Sequence, residues 1–300
     1  NFYNDSTHQK IKKYFDHFIY IKKLSDEEVI KIVKDFKIDI AIHRNGYSQN
    51  SRNSLFAKKI APLQISFLGY PGTMGVKFID YIIADKIVIP YENKQFFSEN
   101  IIYMPDTYYP TNNQRKISEV KYYKTDLNIP ADAFVFGCFN NSYKISSREF
   151  SIWINLLAKI KNSYLILLVN DSITKENLTK EIINHKEDPA RVKFLNFINN
   201  DEHLARHQLI DLYLDTFNVN GHTSSVDALY AGIPIVTKKG KSFTSRVCAS
   251  ILNATNMHEL ITNSEEEYFN LILEIATNKE KYNKLKLDLK SNLKITALFN

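Results

Sequence analysis

The feature that most constrains the fold of this chain is the alternation of amphipathic helices with short apolar strands. A capping box at Ser25–Glu28 predicts the start of a helix, and the apolar run Ile38–Ile42 follows it. Further apolar runs of strand length lie at Leu63–Gly69, Phe134–Asn140 and Ser163–Val169, with helix-like segments among them. This alternation is typical of α/β proteins with a mostly parallel sheet.

Two such α/β units are predicted. Residues 105–130 are rich in Pro, Asn and charged residues and break the alternation, so we interpret this segment as the crossing between domains. We therefore expect an N-terminal half at 1–120 and a C-terminal half at 121–300. Open α/β sheets bind ligands at the carboxyl ends of their strands, which predicts a ligand cleft between the halves. A second capping box at Ser264–Glu267 predicts one long helix that runs toward Leu293.

Composition and charge exclude several classes of function. The net charge is +6, but lysines are spread along the whole chain, so we expect no nucleic-acid partner. We also expect no membrane span, since no apolar run approaches the roughly 18 residues required, and we expect a cytoplasmic location. Cys138 and Cys248 lie in apolar surroundings and are predicted to be buried free thiols. The spacing of Cys and His fits no zinc site, and the sequence contains no Asp-x-Asp pair for a metal-bound nucleotide.

The stretch VNGHTSSVDALYAGIPIVT, residues 219–237, carries the strongest chemical signal. It follows the predicted strand in DLYLDT and opens a predicted helix with Gly221, His222, Thr223 and Ser224. Free N–H groups, the helix dipole and hydroxyl donors at such a position form an anion site. Helix capping alone would explain Thr223 or Ser224, whereas His222 favours the anion site. Asp227, one turn later, could accept hydrogen bonds from sugar hydroxyls or simply provide a favourable charge in the first turn.

Two loops at predicted strand ends add to this signal. Lys144, in FNNSYKISS, follows the strand Phe134–Asn140, and from there a lysine can reach a diphosphate. The turn LGYPGTMG, Leu68–Gly75, is rich in glycine but lacks the spacing of a dinucleotide fingerprint or a P-loop. It is either a plain turn or a place where the backbone approaches a ligand closely.

Several stretches together resemble the catalytic region of the O-linked N-acetylglucosamine transferase and SPINDLY family. They occur in the family's order over nearly the whole chain: RNGYSQNSRNSLFAKKIAPLQISFLGYPGTMGVKFIDYIIAD, CFNNSYKI, EHLARHQLIDLYLDT and NGHTSSVDALYAGIPIVT. The resemblance implies a GT-B fold, with two Rossmann-like domains that face a cleft, the first of them incomplete here. It implies inverting transfer of a sugar from a nucleotide-diphospho sugar, UDP-N-acetylglucosamine by expectation, to Ser or Thr of a protein acceptor. Neither a metal nor another cofactor is implied, and tetratricopeptide-type repeats are expected upstream in a longer chain.

The resemblance also assigns site residues. Lys144 matches the lysine that contacts the donor diphosphate and supports departure of the leaving group, and Asp227 matches the ribose-binding aspartate. The catalytic candidates are Lys144, His222 and His17, of which His17 resembles a second family histidine in the first half. The remaining donor-binding positions are His222, Thr223 and Ser224 at the His-Thr-Thr motif, Asn141 where glutamine is typical, His203 and Arg206 beside the nucleoside, and Gly69, Pro71, Gly72 and Thr73 in the loop that closes on the donor.

Departures from the family pattern leave alternatives open. Asn200 stands where animal enzymes carry a lysine near the nucleoside, so the identity of the donor is open. An upstream family segment that contains another histidine has no match here, so the general base is unassigned and activity of the isolated chain is open. Alternatives within the family are protein O-fucosyl transfer and N-glucosyl transfer. Outside it they are a non-catalytic nucleotide-sugar-binding module and an epimerase.

Overall fold

The computed structural model describes residues 6–299, which form two compact units. The first unit contains the described residues up to Tyr70, together with Met74–Ile82 and Ser98–Asn100. The second contains Pro71–Thr73, Ile83–Phe97 and the chain from Ile101 onward.

Helices and strands alternate along the described chain. The α-helices are α1 (Ser6–Lys12), α2 (Asp26–Asp35), α3 (Asn53–Ala57), α4 (Ser147–Lys159), α5 (Ser172–Asn184), α6 (Asn200–Ala205), α7 (Thr223–Tyr230), α8 (Val247–Ala254), α9 (Glu265–Thr277) and α10 (Lys279–Asn292). The strands are β1 (Ile40–His43), β2 (Leu63–Ser66), β3 (Tyr81–Ala84), β4 (Asn100–Tyr103), β5 (Phe134–Cys138), β6 (Ser163–Leu168), β7 (Val192–Leu195), β8 (Leu212–Leu214), β9 (Ile235–Lys238) and β10 (Ile261–Thr262). Short 3-10 helices cover Tyr91–Phe96, Lys124–Leu127, Ser142–Lys144, Pro189–Arg191, Arg206–Leu209, Phe243–Ser245 and His258–Leu260.

The strands form two sheets. The first has the order β1-β2-β3-β4, and β2 pairs in parallel with both β1 and β3. The second has the order β10-β9-β8-β5-β6-β7, with every neighbouring pair parallel. Numbered within this sheet, the order is 3-2-1-4-5-6, which is the Rossmann order. The strand order reverses between β5 and β8, and ligands bind at such a switch point in open α/β sheets.

The central strands of the second sheet are apolar and buried. Residues Leu165–Leu167 of β6 and Leu212–Leu214 of β8 are fully buried, as expected for parallel strands that read as continuous apolar runs. On one face, the Trp153 indole N–H of α4 donates to the Tyr268 hydroxyl of α9 over 3.2 Å. The Tyr268 hydroxyl in turn donates to the Asp215 carbonyl, just beyond β8. This packing fixes the carboxyl end of β8, where the candidate site lies.

The predicted helix starts and the predicted burial of both cysteines are confirmed. Ser25 and Glu28 form the predicted capping box of α2, and Ser264 accepts from the Glu267 backbone N–H at the start of α9. Cys138 and Cys248 are buried free thiols, and burial raises the pKa of both. No helix within residues 6–299 is long and apolar enough to cross a membrane.

The predicted long helix from Ser264 toward Leu293 is wrong, because it is broken at Asn278. The backbone of Asn278 has φ −110° and ψ 98°, outside the helical region. Its side chain accepts a hydrogen bond from the Lys281 N–H and so caps α10. In the sequence, the strands of the first sheet all precede residue 120 and those of the second sheet all follow it. The predicted domain boundary at that residue stays a prediction.

Candidate active site

A cavity of about 470 Å³ lies at the switch point of the second sheet, entirely within the second unit. Its walls come from the segment after β5, from α6 with the 3-10 turn that follows it, and from the start of α7. The structure brings together here the predicted residues Asn141, Lys144, His203, Arg206, His222, Thr223, Ser224 and Asp227.

The start of α7 faces this cavity. The first N–H groups of a helix have no carbonyl partner within it, so they are available to a ligand. His222 is the N-cap residue, with φ −101° and ψ −89°, and its side chain does not cap the helix. The Ser224 hydroxyl donates to Asn140 Oδ1. A helix start without a side-chain cap is a typical position for an anion, and the anion site stays a prediction.

Lys144 is held beside the same helix start. It ends the 3-10 turn Ser142–Lys144, and its Nζ donates to the Asn220 carbonyl over 3.0 Å. An ammonium group has three protons, so two remain for a ligand. Burial, with the Lys144 charge nearby, lowers the pKa of His222 to about 4, and its buried Nε2 has no hydrogen-bond partner among the described residues. One cation and one neutral imidazole therefore flank the helix start.

The opposite end of the cavity is built differently. Arg206 Nη2 lies 2.5 Å from His203 Nδ1, and Arg206 Nη1 donates to the Asn196 carbonyl over 2.6 Å. Burial lowers the pKa of His203 to about 3, so its ring is neutral. Because Nδ1 accepts from Arg206, we assign the ring proton to Nε2, which lies 3.8 Å from Asp227 Oδ2. Burial raises the pKa of Asp227, and the ion pair with Arg115 opposes this shift.

Sequence reasoning missed three residues that hold these groups in place. Asn140 is buried and donates to Thr216 Oγ1 over 2.8 Å while it accepts from Ser224. Arg115 forms an ion pair with Asp227, and the Tyr109 hydroxyl lies 2.8 Å from Thr223 Oγ1. The position of Asn140 at a strand end was a usable signal, whereas no local pattern marks Tyr109 or Arg115.

The other predicted site residues do not line the cavity. His17 and Gly69 belong to the first unit, where the His17 ring lies 4.5 Å from the Phe36 ring. Gly69 is needed there, because a Cβ would lie 2.2 Å from the Arg44 carbonyl oxygen. The roles of His17 and of the loop residues Gly69, Pro71, Gly72 and Thr73 stay predictions. Within residues 6–299 no three His, Cys, Asp or Glu side chains converge as metal ligands, and metal independence also stays a prediction.

Comparison with known proteins identifies the family. The sequence pattern of glycosyl transferase family 41 matches residues 3–125 and 116–300. The probable UDP-N-acetylglucosamine–peptide N-acetylglucosaminyltransferase SEC of Arabidopsis thaliana is 33% identical over 99% of this chain and 31% of its own length. The corresponding transferase of Caenorhabditis elegans is 26% identical over 92% of this chain and 34% of its own length. The chain thus spans about a third of the length of these curated relatives.

Solved structures give the fold class. An O-GlcNAc transferase mutant of Thermobaculum terrenum matches with a TM-score of 0.88 and 25% identity, over 97% of this chain and 55% of that one. Anabaena HepE, solved with UDP and glucose, matches with a TM-score of 0.59 and 16% identity, over 98% and 86%, and bears on the fold alone. The two parallel sheets and these likenesses confirm the predicted GT-B class. Since the family pattern extends over both units, the chain belongs to glycosyl transferase family 41.

Proposed function

We propose that this chain is the catalytic region of an inverting protein glycosyltransferase. It would move N-acetylglucosamine from UDP-N-acetylglucosamine to Ser or Thr hydroxyls of a protein acceptor. The observation that carries the proposal is the lining of the cavity, with a lysine and a helix start at one end and, at the other, a neutral histidine, an ion-paired aspartate and a hydrogen-bonded arginine. The named activity of the plant and nematode relatives supports the same reaction.

The chemistry follows from where charge develops. Negative charge grows on the distal phosphate of the donor as the glycosidic bond breaks. The Lys144 ammonium group and the N–H groups at the start of α7 would stabilise that charge without reorganising, since both are fixed before the donor arrives. His222, being neutral, would contribute a hydrogen bond rather than a second charge.

The opposite end would bind the nucleoside. Asp227 Oδ2 is available to accept a hydrogen bond from a ribose hydroxyl, because Arg115 contacts the other oxygen, Oδ1. His203, oriented by Arg206, presents an N–H from Nε2 in the same direction. The base that takes the proton of the acceptor hydroxyl is unassigned.

A donor panel tests the proposal. The full-length protein is incubated with UDP-N-acetylglucosamine, UDP-glucose or GDP-fucose and a protein acceptor, and modified residues are identified by mass spectrometry. We expect N-acetylglucosamine on Ser or Thr. Sugar on Asn would overturn the acceptor assignment, and transfer of fucose from GDP-fucose would overturn the donor assignment. UDP binding without transfer would indicate a non-catalytic module, and conversion of the free nucleotide sugar without an acceptor would indicate an epimerase.

A further inference from the structure

The segment Thr107–Arg115 lies along α7, although it precedes that helix by more than 100 residues. Tyr109 contacts Thr223 at the first residue of α7, and Arg115 contacts Asp227 one turn later. The Tyr230 hydroxyl, at the end of the helix, donates to the Arg115 carbonyl over 2.9 Å. The segment therefore touches α7 at three levels, and two of these contacts are made to side chains that line the cavity.

Arg115 fixes the Asp227 carboxylate. The two side chains are only 11% and 6% exposed, and the Arg115 guanidinium also lies 4.4 Å from the centre of the Tyr230 ring. A buried arginine that is stacked and paired in this way has little freedom to rotate. Because Arg115 contacts Oδ1, it leaves Oδ2 facing His203 and the cavity.

Tyr109 acts on the other end of the cavity. Its hydroxyl lies 2.8 Å from Thr223 Oγ1, and either atom can be the donor. Burial raises the pKa of Tyr109, so the phenol keeps its proton. When the phenol donates to Thr223, the proton of the threonine hydroxyl is free to bond an anion. The edge of the Tyr109 ring also packs toward His222, with the ring centres 6.2 Å apart.

We propose that Tyr109 and Arg115 are positioning residues that set donor affinity, Arg115 through Asp227 at the ribose and Tyr109 through Thr223 at the diphosphate. This inference rests on the proposed function, since it takes the cavity to be the nucleotide-sugar site. It adds a segment outside the cavity wall to the determinants of donor binding.

Double-mutant cycles on UDP affinity, measured by calorimetry on the full chain, test the inference. Arg115→Met should weaken UDP binding by about 10-fold or more, the effect of losing one hydrogen bond to a charged group. In an Asp227→Asn background the same change should cost less than about twofold, because the negative charge that pairs with Arg115 is already lost. Tyr109→Phe should weaken binding by about three- to tenfold alone, and far less in a Thr223→Val background. Tyr109→Phe combined with Asp227→Asn should give effects that multiply.

Controls separate positioning from general damage. Arg191 and Glu187 form a similarly buried pair, 14% and 12% exposed, whose residues do not line the cavity. Arg191→Met should lower the melting temperature without changing UDP affinity. If Arg115→Met does not fold, Arg115→Lys enters the same cycle, since it keeps the charge but loses the planar stack.

The outcomes are distinguishable. A wild-type chain that binds neither UDP nor GDP contradicts the proposed function, and this inference with it. A wild-type chain that binds UDP while both single variants bind it equally well overturns the inference alone. If the effects of Arg115→Met and Asp227→Asn on UDP affinity multiply in the double variant, the two residues act independently and the inference is also overturned.

Discussion

The two ends of the cavity differ in how far their charged groups are already engaged by other protein groups. At the end proposed to bind phosphate (the phosphate end), comprising Lys144, His222 and Thr223, the lysine donates to a backbone carbonyl beside a helix start. At the end proposed to bind the nucleoside (the nucleoside end), comprising His203, Arg206 and Asp227, the aspartate is ion-paired with Arg115 and the arginine donates from both Nη atoms. Lys144 Nζ therefore keeps two protons for a ligand, whereas Arg206 is already hydrogen-bonded through both of its Nη atoms. This division fits a ligand that is anionic at one end and neutral at the other.

The largest expected effect comes from removing the charge at the phosphate end. Lys144→Met should lower the transfer rate by about 10²–10³-fold, as does the loss of one preorganised donor to a developing oxyanion. Single-turnover kinetics with saturating donor measure it. Lys161→Met, at an exposed position of the same unit, is the control and should leave the rate unchanged. Near-normal turnover of Lys144→Met would show that this lysine does not stabilise the leaving phosphate, and would contradict the assignment of the phosphate end.

The backbone contribution to the phosphate end can be tested at Gly221. A Cβ there would lie 2.3 Å from Ser225 Oγ and 3.0 Å from Ser224 Oγ, so Gly221→Ala should displace the start of α7. We expect UDP affinity to fall by about 10- to 100-fold, the effect of misplacing one or two hydrogen bonds to an anion. Asn218→Ala, at an exposed position of the same loop, is the control. Equal affinities of Gly221→Ala and wild type would show that the helix start does not hold the anion.

The neutral histidines should make the fold sensitive to acid. Burial lowers the pKa of His207, which packs on the nucleoside end, to about 4, while an unfolded histidine titrates near 6.5. The unfolded chain thus binds more protons between these values, and stability falls as the pH drops from about 6.5 to 4. His203 and His222 act in the same direction, whereas Asp215, whose pKa is raised to about 6, opposes them.

Urea unfolding at several pH values measures this effect. His207→Asn should reduce the slope of unfolding free energy against pH by about 1.4 kcal/mol per unit, the value for one proton. His258→Asn, at an exposed position, should leave the slope unchanged. An unaltered slope in His207→Asn would mean that this ring binds protons equally in the folded and the unfolded chain, which contradicts the lowered pKa.

The smallest expected effect is that of salt concentration on UDP affinity. Raising the salt concentration from about 50 to about 500 mM should weaken UDP binding by a few-fold, because partly exposed charges are screened. Uridine, which would occupy only the nucleoside end, should show no such dependence. Lys144→Met should lose most of the salt sensitivity of UDP binding. Equal salt dependence of UDP and uridine would contradict the assigned division of the cavity.

Local sequence patterns account for much of the second sheet and for the phosphate end. Each phosphate-end residue lies within a few residues of a predicted strand end or helix start, where composition and capping rules apply. The apolar run of β6 likewise predicts a strand buried on both faces. The exception is Asn278, where a single cap residue interrupts a continuous helical pattern.

The rest depends on contacts between residues far apart in the sequence. The roles of His203 and Arg206 came from family resemblance, because a histidine and an arginine in a helical segment carry no local signal. Arg115 lies 112 residues before Asp227, in a segment whose Pro and Asn content indicates only a crossing. Partners of this kind are specified by tertiary packing, so a local pattern does not identify them.

A crystal structure of the chain with UDP tests most directly whether one end of the cavity binds the diphosphate and the other binds the nucleoside. We expect the diphosphate within hydrogen-bond distance of Lys144 Nζ and of the N–H groups at the start of α7, with the ribose hydroxyls at Asp227. A nucleotide bound in the reverse orientation, or outside this cavity, would contradict the account.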